Sequence, residues 1–167
     1  EFQNTFLPQH LEVPVRGTRK GSERGYQGEV KTQIARGLEH FFDETLAPPS
    51  SMHDFVLDLG CGTGAAARLI RSCGRRVWQY LGVDPSLPML AKAHASLSPV
   101  FGDNAEFVLG GFDADSTWAA IAAKRPTVRF SIASCMFAVC YSRDVSTLVR
   151  RAPGELRSGG ALVLTVS

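Results

Sequence analysis

No apolar run in this sequence reaches the ~18 residues that a helical membrane span requires, and no basic-then-apolar leader stands at its start. Both absences argue against a membrane partner. The four cysteines, Cys61, Cys73, Cys135 and Cys140, include no CxxC pair, and the four histidines are scattered, so zinc-ligand spacing is missing. Thiols without a disulfide framework suit a reducing compartment, cytoplasmic or nuclear. An excess of one charge is lacking as well. Eighteen Lys and Arg against sixteen Asp and Glu leave a net charge of +2, too even for the overall field to announce a nucleic-acid binder. Internal repeats are also missing.

What is present is apolar bulk, 44% of 167 residues, enough for one core and about the length of one domain. Residues 1–25 hold Arg16, Arg19, Lys20 and Arg24 among glycine and proline, and read as a basic, solvated, mobile arm. Residues 26–167 read as the core. Val30, Ile34, Leu38, Phe41 and Phe42 recur at helical spacing over Tyr26–Leu46, before Pro48-Pro49. Strands are then expected at Phe55–Leu59, Val77–Val83, Ala105–Leu109, Val128–Ala133 and Gly160–Val166. Helices are expected between them at Ala65–Ser72, Leu87–Leu97, Ser116–Ala123 and Val145–Ala152. Such alternation implies an α/β fold with a doubly wound, mostly parallel sheet, and ligand bound outside the strand C-termini. The last apolar run, Ala161–Val166, abuts Ser167, so the core is expected to be truncated after the fifth strand. Its open edge would be covered by a partner chain, a second copy or residues of a longer parent.

Chemistry concentrates at Val56-Leu57-Asp58-Leu59-Gly60-Cys61-Gly62-Thr63-Gly64, a buried strand with an acid near its end and a glycine at every second position beyond. Glycines there admit positive φ and close backbone approach, and the helix start at Ala65 favours an anionic group. A second acid, Asp84, ends the strand Leu81-Gly82-Val83 20 residues beyond Gly64, followed by Pro85-Ser86. A carboxylate so placed can accept both ribose hydroxyls of an adenosine, and it can equally cap the next helix. Two further stretches follow: Glu106-Phe107-Val108-Leu109-Gly110-Gly111-Phe112-Asp113 and Phe130-Ser131-Ile132-Ala133-Ser134-Cys135-Met136-Phe137. The fifth feature is Leu156-Arg157-Ser158-Gly159-Gly160 before the final apolar run.

These five features, in this order over residues 54–166, resemble the class I S-adenosylmethionine-dependent methyltransferases. The resemblance implies S-adenosyl-L-methionine as cofactor, with Asp58, Gly60, Cys61, Gly62 and Gly64 around its methionine end. It implies Asp84 and Pro85 at the ribose, Phe112 and Asp113 at the adenine, and Ser134 in the strand and loop that face the methyl group and the acceptor. Gly111 stands where the family carries the adenine-reading acid, and Asp113 comes two residues late, so a turn role for Asp113 stays open. Ser134-Cys135-Met136-Phe137 with Tyr141-Ser142 also resembles the guanine pocket of mRNA cap guanine-N7 methyltransferases. Cys140 replaces that family's His and Thr63 its frequent Lys. Phe137 and Tyr141 are therefore candidates for the acceptor side, or ordinary packing aromatics. The acceptor itself, RNA, small molecule or protein, stays open. His53 and His94 stand away from the motifs, and no general base is assigned.

Three functions are to be weighed: an active methyltransferase, a catalytically inactive methyltransferase-like binding subunit, and an NAD-dependent oxidoreductase. A dinucleotide fingerprint would place its third glycine at Ala65 and would rarely carry an acid at Asp58, which disfavours the last.

Overall fold

A computed structural model describes residues 36–37, 39–40, 53–124, 129–136 and 138–165. The expected arm at 1–25 and Phe137 lie outside the described residues. Of the expected first helix, the described residues at 36–37 and 39–40 are helical.

The strands are β1 (Asp54–Leu59), β2 (Val77–Asp84), β3 (Ala105–Leu109), β4 (Phe130–Met136) and β5 (Leu156–Thr165). The helices between them are α1 (Ala65–Ser72), α2 (Leu87–Phe101), α3 (Asp115–Lys124) and α4 (Val145–Glu155). All pairings are parallel, in the order β3-β2-β1-β4-β5. The chain runs outward from β1 to β3, then crosses back to place β4 on the other side of β1. That reversal opens a crevice at the C-terminal ends of β1 and β4, where ligands bind in such sheets.

Side-chain alternation along the strands explains why the helices divide between two faces. Val56, Tyr80 and Ile132 face Ala67 and Ile70 of α1 and Leu97 and Phe101 of α2. Leu57, Leu59, Val83 and Ala133 face Trp118 and Ile121 of α3 and Leu148 of α4. Because Asp58 follows Leu57 and β4 pairs Asp58 with Ser134, both point to the α1–α2 face.

Several boundaries differ from the expectation: β4 ends at Met136 rather than Ala133 and α4 at Glu155 rather than Ala152, and the two largest shifts have a physical reason. Helix α2 does not stop at Leu97 but runs through Pro99 to Phe101, whose ring is buried and stacks on Tyr80 at a centroid distance of 6.0 Å. Burying that ring offsets the one backbone bond that proline removes. Strand β5 starts at Leu156, not Gly160. Leu156 pairs with Phe130 and Ala161 with Ile132, so the Gly159-Gly160 pair lies in an excursion inside the strand. Gly159 takes φ +72°, and a Cβ on Gly160 would lie 3.0 Å from the Arg157 carbonyl oxygen, so larger residues would be strained in both places.

At the opposite end of the sheet, Asp54 opens β1 and holds Arg75 in a buried, two-pronged ion pair. Among the described residues no helix is long and apolar enough to cross a membrane, and no cluster of His, Cys, Asp or Glu is arranged to hold a metal ion.

Candidate functional site

The loop from β1 to α1 is built by its neighbours. The Gly60 and Cys61 amides both donate to the Val83 carbonyl, at 2.8 and 2.9 Å, folding the chain sharply over the end of β2. Gly60 sits at φ +72°, and a Cβ there would be 2.2 Å from the Ala138 Cβ. Its bareness serves close packing against the segment after β4. Gly64 abuts Leu97 in the same way. Gly62, at φ +52°, has open space where a Cβ would stand. Of the three motif glycines, this one leaves room for a ligand.

Asp84 ends β2 and is 8% exposed. Its Oδ2 accepts the Gly62 amide at 2.9 Å and its Oδ1 accepts the Ser86 amide at 2.8 Å. One carboxylate thus ties the glycine loop to the first turn of α2. Each oxygen keeps a second lone pair for an incoming hydroxyl.

Around these groups lies a cleft of about 510 Å³, within the range typical of small-ligand sites. One wall is the glycine loop, Gly60 to Thr63, with Ala65; another is Asp84 to Ser86 with Met89. The remaining wall is Gly111, Phe112 and Asp113 facing Met136, Ala138 and Tyr141. The structure therefore brings Gly60, Cys61, Gly62, Asp84, Pro85, Phe112, Asp113 and Tyr141 to one cleft, and leaves Gly64, Asp58 and Ser134 out of its lining.

Asp58 and Ser134 lie behind the loop. Asp58 is 1% exposed; Tyr80 Oη donates to its Oδ2 at 2.6 Å and Ser134 Oγ to its Oδ1 at 2.8 Å. The triad pins β2 and β4 to β1 directly beneath the glycines. Burial pushes the Asp58 carboxyl up to about 6 from 3.8, against the pull of the two hydroxyl donors, with Asp84 adding to the rise. Burial likewise keeps Tyr80 and Cys61 protonated and pushes Cys135 up to about 12, so neither thiol is a nucleophile at neutral pH. The folded protein binds the Asp58 proton more tightly than the unfolded chain does. Its contribution to stability is full below pH 3.8 and is lost as pH rises through about 6. Asp58→Asn, which cannot ionise, should remove that component. Thermal midpoints of wild type and variant, measured from pH 4 to 7.5, should lie together at low pH and separate as pH rises, wild type falling below the variant, if Asn keeps both hydroxyl contacts. Parallel curves would show that Asp58 ionises in the fold as it does in water.

Asp113 is exposed, and its carboxylate is turned across the cleft mouth: Ser142 Oγ donates to Oδ1 at 2.7 Å and the Arg143 amide to Oδ2 at 2.9 Å. Phe112 is buried, its carbonyl taken by Trp118 Nε1 at 2.7 Å. Tyr141 is 82% exposed. Sequence reasoning missed Thr63, Ser86, Met89, Gly111, Met136 and Ala138. Met89 was within reach, since the first turn of a helix following Asp84 must overhang the switch point. Ala138 carried no local signal, because its smallness matters only against Gly60.

The groups present fit an adenosine-bearing cofactor. Asp84 offers acceptors for vicinal hydroxyls, Gly62 leaves space, and the α1 N-terminus at Ala65 lines the cleft. The sequence matches the methyltransferase-domain family over residues 26–167. No curated protein matches it significantly. Among solved structures it resembles an S-adenosylmethionine-dependent methyltransferase from Mesorhizobium loti, with TM-score 0.58 and 24% identity over 83% of this chain and 54% of that one. A methyltransferase from Thiobacillus denitrificans in complex with S-adenosyl-L-homocysteine gives TM-score 0.54 and 17% identity over 79% of this chain and 47% of that one. The precorrin 8w decarboxylase of Methanobacterium thermoautotrophicum gives 0.56 and 21%, over 83% and 62%. The chain thus spans about half the length of the first two. At these identities the likeness is one of fold, and the third name warns that the fold alone does not name the reaction. The match over residues 26–167, with this parallel sheet order and this glycine loop, places the chain in the methyltransferase-domain family.

Proposed function

We propose that this chain binds S-adenosyl-L-methionine in the cleft between Gly62 and Phe112 and serves methyl transfer from it. Asp84 carries the reading: a nearly buried carboxylate, held by two backbone amides, that keeps lone pairs at the cleft wall. The bound cofactor would supply an electrophilic methyl group on its sulfonium. This chain's contribution is positioning. Asp84 accepts the ribose hydroxyls, the glycine loop gives the methionine end room beside the α1 N-terminus, and Phe112 closes the adenine side. Asp58 and Ser134 act from behind, by holding the loop's strands in register.

Calorimetric titration with S-adenosylhomocysteine and with NAD tests the reading. Binding of the first and not the second is expected; the reverse would make this a nicotinamide site. Gly111→Val gives a steric check. Gly111 has a negative φ and open space at its Cβ, so the variant should fold normally and lose roughly tenfold in affinity, about 1.4 kcal/mol.

For the acceptor we propose a planar base, with guanine N7 of capped RNA first among candidates, on the strength of Tyr141. An aromatic ring left 82% exposed beside a cleft offers a stacking face. Transfer to a capped oligonucleotide by the full-length protein, abolished by Tyr141→Ala with S-adenosylhomocysteine binding kept, is the expected result. Binding of the cofactor product without transfer to any acceptor class would favour the inactive binding subunit. The β5 edge, unpaired on its outer side among the described residues, is proposed to be covered by further residues of a longer protein, a partner chain or a second copy. Light scattering on the 167-residue chain distinguishes a second copy from the other two.

A further inference from the structure

We infer that Asp113 is a positioning residue: its carboxylate straps the segment 138–143 across the cleft mouth and so sets where Tyr141 stands, without itself touching the cofactor. The inference rests on reading the cleft as a methyl-transfer site. It departs from the expectation that Asp113 meets the adenine.

The segment after β4 is held at two points. At its start, Ala138 packs on the bare Gly60 of the glycine loop. Between Val139 and Tyr141 it makes one short 3-10 turn, closed by the Tyr141 amide on the Ala138 carbonyl and the Ser142 amide on the Val139 carbonyl, both at 3.0 Å. At its end both Asp113 oxygens are occupied, one by the Ser142 hydroxyl and the other by the Arg143 amide. The Ser142 hydroxyl in turn accepts the Asp144 amide at 3.1 Å, and Asp144 caps α4 through the Ser146 and Thr147 amides.

Tyr141 stands between these two anchors. Its side chain is 82% exposed, so the core does not fix its place. What fixes it is the backbone on either side, and the Asp113 strap is the anchor that spans from the opposite wall. A carboxylate with one oxygen committed to a hydroxyl and the other to an amide is a charge-assisted, two-point clamp. Pointing those oxygens at the loop also turns them from an adenine amino group in the cleft.

The test uses the 167-residue protein, amide-resolved NMR and calorimetry with S-adenosylhomocysteine as probe. In Asp113→Ala the amides of Ser142 to Asp144 should exchange at least tenfold faster, and the Arg143 amide proton should lose the downfield position that a charged acceptor gives it. The S-adenosylhomocysteine Kd should stay within threefold of wild type. Ser142→Ala attacks the strap from its other end, at a residue outside the cleft lining, and should also speed exchange. Ser142→Thr, which keeps the hydroxyl, should restore wild-type protection, a rescue that loss of packing alone would not give. Unchanged exchange in both alanine variants would overturn the inference. So would a Kd weakened more than threefold in Asp113→Ala, which would return Asp113 to the cofactor. If wild type fails to bind S-adenosylhomocysteine, the proposed function falls, while the exchange data still decide whether the strap exists.

Discussion

Arg75→Ala should lower the free energy of unfolding by about 3–5 kcal/mol, the cost of breaking a buried ion pair from one side. Asp54 is fully buried and Arg75 nearly so. Nε meets Oδ2 at 2.7 Å and an Nη meets Oδ1 at 3.0 Å, the fork geometry in which a guanidinium is hardest to replace. Ser131 Oγ adds a third bond to Asp54 Oδ1 at 2.8 Å and accepts the Phe55 amide at 3.0 Å. Without the guanidinium, Asp54 would keep its charge with a single hydroxyl for company, or would have to take up a proton. The pair locks the start of β1 to the turn before β2 and, through Ser131, to β4. Urea titration reads the loss. Pairing the change with Asp54→Asn should recover part of it, because no bare charge then remains. A loss under 1 kcal/mol in Arg75→Ala would show that water reaches Asp54. Affinity for S-adenosylhomocysteine should hardly change, since β1 separates Asp54 from the cleft by roughly 16 Å at ~3.3 Å per residue.

That separation explains which parts of this molecule were readable beforehand. Patterns made by near neighbours in the chain came through. Helix α1 and strand β3 have the expected bounds, because Ala65 follows directly on a glycine in the left-handed region and Ala105–Leu109 is bounded by turn residues on both sides. The glycine loop and Asp84 were legible because a strand end, a tight turn and a helix start leave marks within a few residues of each other. Partners far apart in sequence left none. Nothing near Asp113 announces that its oxygens will be taken by Ser142 and Arg143, 29 and 30 residues on. Asp58 was expected by the methionine end of the cofactor, and nothing near it in the chain announces that Tyr80 and Ser134, 22 and 76 residues on, donate to its two oxygens. The period of the strand was visible, but which face opened on the cleft depended on where β4 would lie. The ends of α2 and β5 were misplaced for a related reason. Proline and paired glycines signal local breaks, and in both places tertiary contacts carried the element through them.

Asp84→Ala should weaken S-adenosylhomocysteine by about 2–3 kcal/mol, roughly 30- to 150-fold, given the ~1.5–3 kcal/mol typical of a hydrogen bond to a charged group. Two effects contribute. The ribose loses its acceptors, and the Gly62 and Ser86 amides lose the carboxylate that ties the glycine loop to α2. Asp84→Asn separates them. The carboxamide is close in shape and keeps one oxygen for a backbone amide, but its nitrogen would face the other amide donor to donor. If ribose recognition dominates, Asn should lose nearly as much affinity as Ala while the Gly62 amide stays protected from exchange. If loop pinning dominates, protection at Gly62 and affinity should fall together. Adenosine alone, lacking the methionine end, should show the same ratio between wild type and Asp84→Ala, because the carboxylate acts on the ribose. Unchanged affinity in a well-folded Asp84→Ala protein would move the ligand away from β2 and take the proposed cofactor geometry with it.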